Sequence, residues 1–121
     1  MFEPTLSTLP YIRAGKLRAL AVSSAPRSAA LPDVPTVGEF VPGYEATSWF
    51  GMGAPKNTPT EIIEKLNEAV NAGLTDPKIN QRLADLGGEP MPMTPAEFGK
   101  FVADETDKWA RVIKLTGIKP D

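Results

Sequence analysis

Proline recurs along the whole of this sequence, thirteen times in 121 residues, about double ordinary usage. Each proline fixes φ, lacks an N–H donor and breaks a helix interior or a central strand. Because they are spread out, they act as punctuation between short elements and not as a low-complexity tract. Between Ser24 and Gly43, Pro26, Pro32, Pro35 and Pro42 forbid long regular structure and predict an ordered surface loop. Within it Thr36, with Glu39 three residues on, has the capping-box spacing for one short helical turn.

Elsewhere proline marks where helices begin. Thr58-Pro59 with Glu61 predicts an N-cap, an N1 proline and a capping-box acid, with a helix running to about Gly73 on Ile62, Ile63, Leu66, Ala69 and Val70. Asp76-Pro77 opens a second helix carrying Ile79, Leu83 and Leu86, closed by Gly87-Gly88. Thr94-Pro95 with Glu97 opens a third, stopped by Gly117, with Phe98, Phe101, Val102, Trp109, Val112 and Ile113 on one face. Before all of these, Leu6, Leu9 and Ile12 recur at helical spacing over Thr5 to Ala14, with Gly15 at C′. Pro10 fits if that helix starts near Ser7. Two segments read as strands: the apolar Leu17 to Ser23, and Tyr44 to Ala54 with Pro55 to end it. The chain is thus an α/β polypeptide of one domain's length.

Composition excludes several functions. A net charge of -2 argues against nucleic acid and against an anionic membrane surface. Without histidine or cysteine there is no Ser-His-Asp or Cys-His machinery, no thiolate metal site and no disulfide. No apolar run approaches a membrane span, so direct membrane insertion is not expected, and the start has no signal-peptide pattern. No cofactor is expected.

The candidate chemistry is sparse. Glu61 and Glu64, and the run Asp104, Glu105 and Asp107, read as solvated helix faces, with Glu61 oriented to pair with Lys65. Asn67 and Asn71 fall on the polar side of their helix and read as solvated. Phe98, Phe101 and Trp109 read as core. Ser23 and Ser24 read as a turn. In Thr47-Ser48-Trp49-Phe50-Gly51, two hydroxyls, two aromatics and a glycine on one strand can line a pocket, and a half-buried strand uses the same residues. Two readings of function are open to such residues: an enzyme using two carboxylates, as glycosidases do, and a non-catalytic interaction module.

Read in order, the segments resemble one family. Leu9-Pro10-Tyr11-Ile12-Arg13-Ala14-Gly15-Lys16-Leu17-Arg18-Ala19-Leu20-Ala21-Val22 leads into Leu31-Pro32-Asp33-Val34-Pro35-Thr36-Val37 and Pro42-Gly43-Tyr44-Glu45-Ala46. Ser48-Trp49-Phe50-Gly51, Ala54-Pro55 and Gly117-Ile118-Lys119 complete a collinear series. It resembles the substrate-binding proteins of tripartite tricarboxylate transporters, the TctC-like or Bug proteins, over their C-terminal portion. The resemblance implies part of a two-domain periplasmic binding protein of type II, the Venus-flytrap fold, with this chain a fragment and the export signal lying outside it. Residues 1–44 would then finish the second, ligand-clamp domain, and residues 45–121 would cross the hinge and complete the first. It also implies a periplasmic location, binding without catalysis, a small organic carboxylate held in the interdomain cleft, and membrane permease subunits as partners. Phe2 and Glu3, where family members carry an apolar residue and Asp, and Ser48, Trp49 and Phe50 are the ligand-binding residues it implies.

Overall fold

A computed structural model describes residues 1–119. The order of elements is α1 (Thr5–Arg13), a 3-10 turn (Val37–Glu39), α2 (Thr60–Thr75), α3 (Pro77–Asp85) and α4 (Pro95–Thr116). They fall into two compact units. The first holds Met1–Gly53 and Leu74–Pro90, and the second holds Ala54–Gly73 and the chain from Met91 onward.

In the first unit, α1 and the end of α3 enclose Leu9, which is 1% exposed and the one fully buried apolar side chain among the described residues. The helix α3 is capped at both ends by local chemistry. The Asp76 carboxylate accepts from the backbone N–H of Lys78 at 2.9 Å and of Ile79 at 3.1 Å, satisfying donors that the first turn leaves free. At its other end Gly87 takes φ +78°. The Gly87 N–H then donates to Ala84 and the Gly88 N–H to Leu83, both at 2.9 Å, the paired bonds of a Schellman turn. The helix α1 ends in the same way, with Gly15 at φ +70° and the Lys16 N–H donating to Tyr11.

The start of α1 differs from the expectation. The helix begins at Thr5, so Pro10 lies inside it. The Pro4 carbonyl supports the first turn, accepting from the Ser7 and Thr8 backbone N–H groups and from both their hydroxyls. Proline at the sixth position removes a single i to i−4 bond, the one to Leu6, and leaves the rest of the ladder in place.

The two expected strands do not form within this chain. From Leu17 to Ser23 there is one isolated parallel bridge, between Val22 and Thr36. The Val22 N–H donates to Pro35 and its carbonyl accepts from Val37, both at 2.9 Å. The segment Tyr44 to Ala54 is irregular, with Ala46 donating to the Ser23 carbonyl at 2.9 Å. A strand needs a neighbour bonded along its length, and these residues have one-residue neighbours only.

The loop between them is ordered by side chains. Thr36 and Glu39 make the expected capping box around the 3-10 turn. Arg27, twelve residues earlier, then clamps the Glu39 carboxylate with two bonds of 2.9 and 2.8 Å and reaches the Pro32 carbonyl.

The second unit is built from α2 and α4. Thr94 caps α4 through its capping box with Glu97, and Gly117 ends it at φ +67°. The start of α2 is a correction: the Thr58 hydroxyl donates to the Pro55 carbonyl at 2.8 Å, and the helix begins two residues later, at Thr60. Asn67 and Asn71 are also not solvated. Their amides donate to the Met93 carbonyl at 2.8 and 3.0 Å, tying α2 to the residues just before α4.

Nor do the α4 aromatics form a core. Phe98 and Phe101 stack with ring centres 6.4 Å apart and are half-buried, while Trp109 is 39% exposed. The indole N–H of Trp109 donates to Glu105, which also pairs with Lys108 at 3.0 Å. Glu105 is thereby drawn out of solvent, its side chain only 13% exposed. Lys100 pairs with Asp104. The expected Glu61–Lys65 pair is not among the ion pairs of the described residues.

Candidate functional site

All five residues expected to meet a ligand lie in the first unit. Phe2 and Glu3 precede α1, in the extended stretch that Pro4 fixes at the helix start. Phe2 is 82% exposed. Ser48, Trp49 and Phe50 follow one another in the irregular segment after Tyr44: Ser48 exposed, Trp49 half-buried, and Phe50 at 85% among the most exposed large side chains. An aromatic left so open is unusual unless something covers it.

These residues do not line a depression beside the 3-10 turn of the same unit. That depression, of about 370 Å³, is lined by Ala25, Thr36, Gly38, Glu39, Gly43, Tyr44 and Glu45. Gly38 permits it, since a Cβ there would stand 3.2 Å from the Tyr44 carbonyl oxygen. Its charge is unsuited to an anion. The Arg27 hydrogen bond, followed by the Thr36 backbone bond, lowers the Glu39 carboxyl to about 2, so it stays ionised at any ordinary pH. The Arg27 guanidinium is held by that carboxylate, and no cationic side chain is in the lining. The capping-box spacing of Thr36 and Glu39 was visible in the sequence, but nothing local pointed to Arg27 as the third member.

Among the described residues, no three acidic, histidine or cysteine side chains come together as a metal site, and no helix is long and apolar enough to cross a membrane. Glu39, Glu97, Asp104 and Glu105 are each engaged by a neighbouring cap, cation or indole.

The profile of the tripartite tricarboxylate transporter family receptor matches residues 1–118. The protein BugT of Bordetella pertussis is 40% identical over 114 residues, which are 93% of this chain and 35% of that protein. Among solved structures, R. palustris Rpa4515 with adipate superimposes with a TM-score of 0.88 at 40% identity, over 97% of this chain and 40% of that one. The periplasmic binding protein BugD superimposes with a TM-score of 0.84 at 37% identity, over 94% of this chain and 39% of its own. The chain therefore spans about a third of the length of most of the curated relatives it matches. The fold class is that of these periplasmic binding proteins, although the sheet strands of an α/β fold are not formed by the described residues. Matched over residues 1–118 by one family profile and superimposing closely on two solved relatives, this chain belongs to the tripartite tricarboxylate transporter receptor family.

Proposed function

We propose that this chain forms part of a periplasmic solute-binding receptor that takes a small organic carboxylate into a cleft between two domains. The receptor then presents the loaded, closed form to the permease subunits of a tripartite transporter, and no bond of the ligand is made or broken. The observation that carries the reading is the superposition on a relative holding adipate, which covers 97% of this chain at 40% identity.

In this reading residues 1–44 finish one domain and residues 45–121 cross the hinge and complete the other. Phe2, Glu3, Ser48, Trp49 and Phe50 face the ligand. Clefts between domains are the common place for a small-molecule site, and hinge closure sequesters what they hold. The exposure of Phe2 and Phe50 supports the assignment, since both offer apolar faces for the aliphatic part of a dicarboxylate. Ser48 adds a hydroxyl, and backbone N–H groups can hold carboxylate oxygens without a paired arginine.

The test uses a fused receptor: the part of the R. palustris protein outside the match, joined to this chain in place of its own. Adipate, citrate and other di- and tricarboxylates are titrated while the melting temperature is followed. A rise with at least one acid, and unchanged acid recovered afterwards, is expected. A fused receptor that folds cooperatively and answers to none of them would refute the carboxylate reading.

A further inference from the structure

The loop from Ser24 to Gly43 is closed on itself by side chains. The Arg27 guanidinium donates to the Glu39 carboxylate with two arms, Nε at 2.9 Å and Nη2 at 2.8 Å, while its Nη1 donates to the Pro32 carbonyl at 3.3 Å. The same carboxylate accepts from the Thr36 N–H at 2.9 Å. Thr36, at 3% exposed, is the one buried polar residue among the described residues. Arg27 and Glu39 keep 47% and 40% of their side chains exposed. A pair so open adds little to stability by itself, but a two-armed fork fixes direction as well as distance.

The clamped turn is bonded to the residues that lead into Ser48, Trp49 and Phe50. The Val41 N–H donates to the Val37 carbonyl, inside the turn, at 2.9 Å, and the Tyr44 N–H donates to Val41 at 3.0 Å. Gly43 makes the bend between them at φ +82°. The Tyr44 carbonyl oxygen lies so close to Gly38 that a Cβ there would stand 3.2 Å from it. Two residues on, the Ala46 N–H donates to the Ser23 carbonyl at 2.9 Å. Ser23 adjoins Val22, which is bonded to Pro35 and Val37 on either side of Thr36. Ser48 follows Ala46 after one further residue.

We infer that Arg27 and Glu39 are positioning residues for ligand binding: their clamp sets the 3-10 turn against Val22, the turn fixes the path of Tyr44 to Ala46, and that path aims Ser48, Trp49 and Phe50. They act through this backbone and not by contact or by charge. The inference rests on the reading that places those three residues on the ligand. Charge is the competing route, since a lysine at position 27 would attract an anion as an arginine does. The fork is what lysine cannot supply.

The experiment compares Arg27→Lys, which keeps the charge and loses the fork, with Arg27→Gln, which loses both, in the fused receptor. Titration with the acid that raises its melting temperature should show an affinity loss of about fivefold or more, similar for the two variants. The melting temperature should fall by no more than a few degrees. Without ligand, amide hydrogen exchange at Tyr44 and Ala46 should be about fivefold faster or more in both variants. It should be unchanged at Glu97, whose N–H is held by the Thr94 cap in the other unit. Thr94→Ala, which removes that cap, is the control for lost stability and should leave affinity intact. Affinity kept by Arg27→Lys and lost by Arg27→Gln would mean that the cation attracts the ligand, and would overturn the inference. Lowered melting temperatures with affinity unchanged in both would overturn it equally. A fused receptor that folds and binds no acid before any substitution would refute the carboxylate reading instead. Exchange would still decide whether the clamp holds the segment, and unchanged exchange at Tyr44 and Ala46 overturns the inference with or without a ligand.

Discussion

Gly87 lies so close to Thr5 that a Cβ built on it would stand 2.7 Å from the Thr5 Cγ2 methyl. The same glycine holds φ +78°, the left-handed conformation that ends α3. One residue thus terminates a helix and makes room for the start of another. Arg13, at the far end of α1, completes the join by donating to the Asp85 carbonyl at 3.2 Å.

Gly87→Ala meets both constraints at once. The left-handed conformation costs a residue with a Cβ about 1–2 kcal/mol, and overpacking adds about 1–3 kcal/mol. Gly15 is the control: its φ is +70°, but nothing lies within 4 Å of a Cβ there. Urea unfolding of the fused receptor should show Gly15→Ala losing about 1 kcal/mol and Gly87→Ala clearly more. Equal losses would mean that the contact with Thr5 relaxes freely.

The Arg27–Glu39 clamp predicts a pH dependence. The Glu39 carboxyl is lowered to about 2 in the folded chain, first by the hydrogen bond from Arg27 and then by the Thr36 backbone. A folded pKa below the unfolded one means stability that is fully present above the unfolded value, about 4.3, and lost as pH falls towards 2. Melting temperatures of wild type and Glu39→Gln should therefore differ most at neutral pH and converge between pH 4 and 2. Curves that stay parallel would show that the clamp does not titrate with folding.

Two amides serve one carbonyl at Met93, so their losses should not add. Asn67→Ala or Asn71→Ala alone leaves the carbonyl a second donor, at a cost of about 1 kcal/mol each. The double variant leaves it without either amide and should cost more than the two single losses together. A double-mutant cycle by urea unfolding reads the difference directly; strict additivity would mean that water replaces the second amide.

Trp49 separates ligand contact from packing. In the fused receptor, Trp49→Ala should weaken binding of the responding acid at least tenfold while moving the melting temperature by only a few degrees. The reverse pattern, a loss of about 3–5 kcal/mol in stability with affinity intact, would place Trp49 in the core and outside the site.

The two threonines read as N-caps also part company. Thr94→Ala removes a formed capping box and should cost about 1 kcal/mol. Thr58→Ala removes only a hydroxyl bonded to Pro55, two residues before the helix, and should cost less on thermal unfolding.

What the sequence determined by itself was local. Asp76, the Thr36–Glu39 and Thr94–Glu97 boxes, and the glycines at 15, 87 and 117 were legible because each cap closes hydrogen bonds within a few residues of itself. Family membership was legible for a related reason, since a collinear series of turns and caps is written in residue order. Thr58 was misread because a Thr-Pro start signal places a helix terminus only to within a residue or two, and the helix begins at Thr60. The tertiary structure alone decided the rest: that Arg27 holds Glu39 across twelve residues, that Asn67 and Asn71 reach forward more than twenty to Met93, and that Gly87 abuts Thr5. It also decided that Leu17 to Ser23, though composed as a buried strand, is irregular with one bridged residue. Side-chain pattern states which face a segment can bury, whereas a strand exists only where another backbone stands beside it to take its hydrogen bonds.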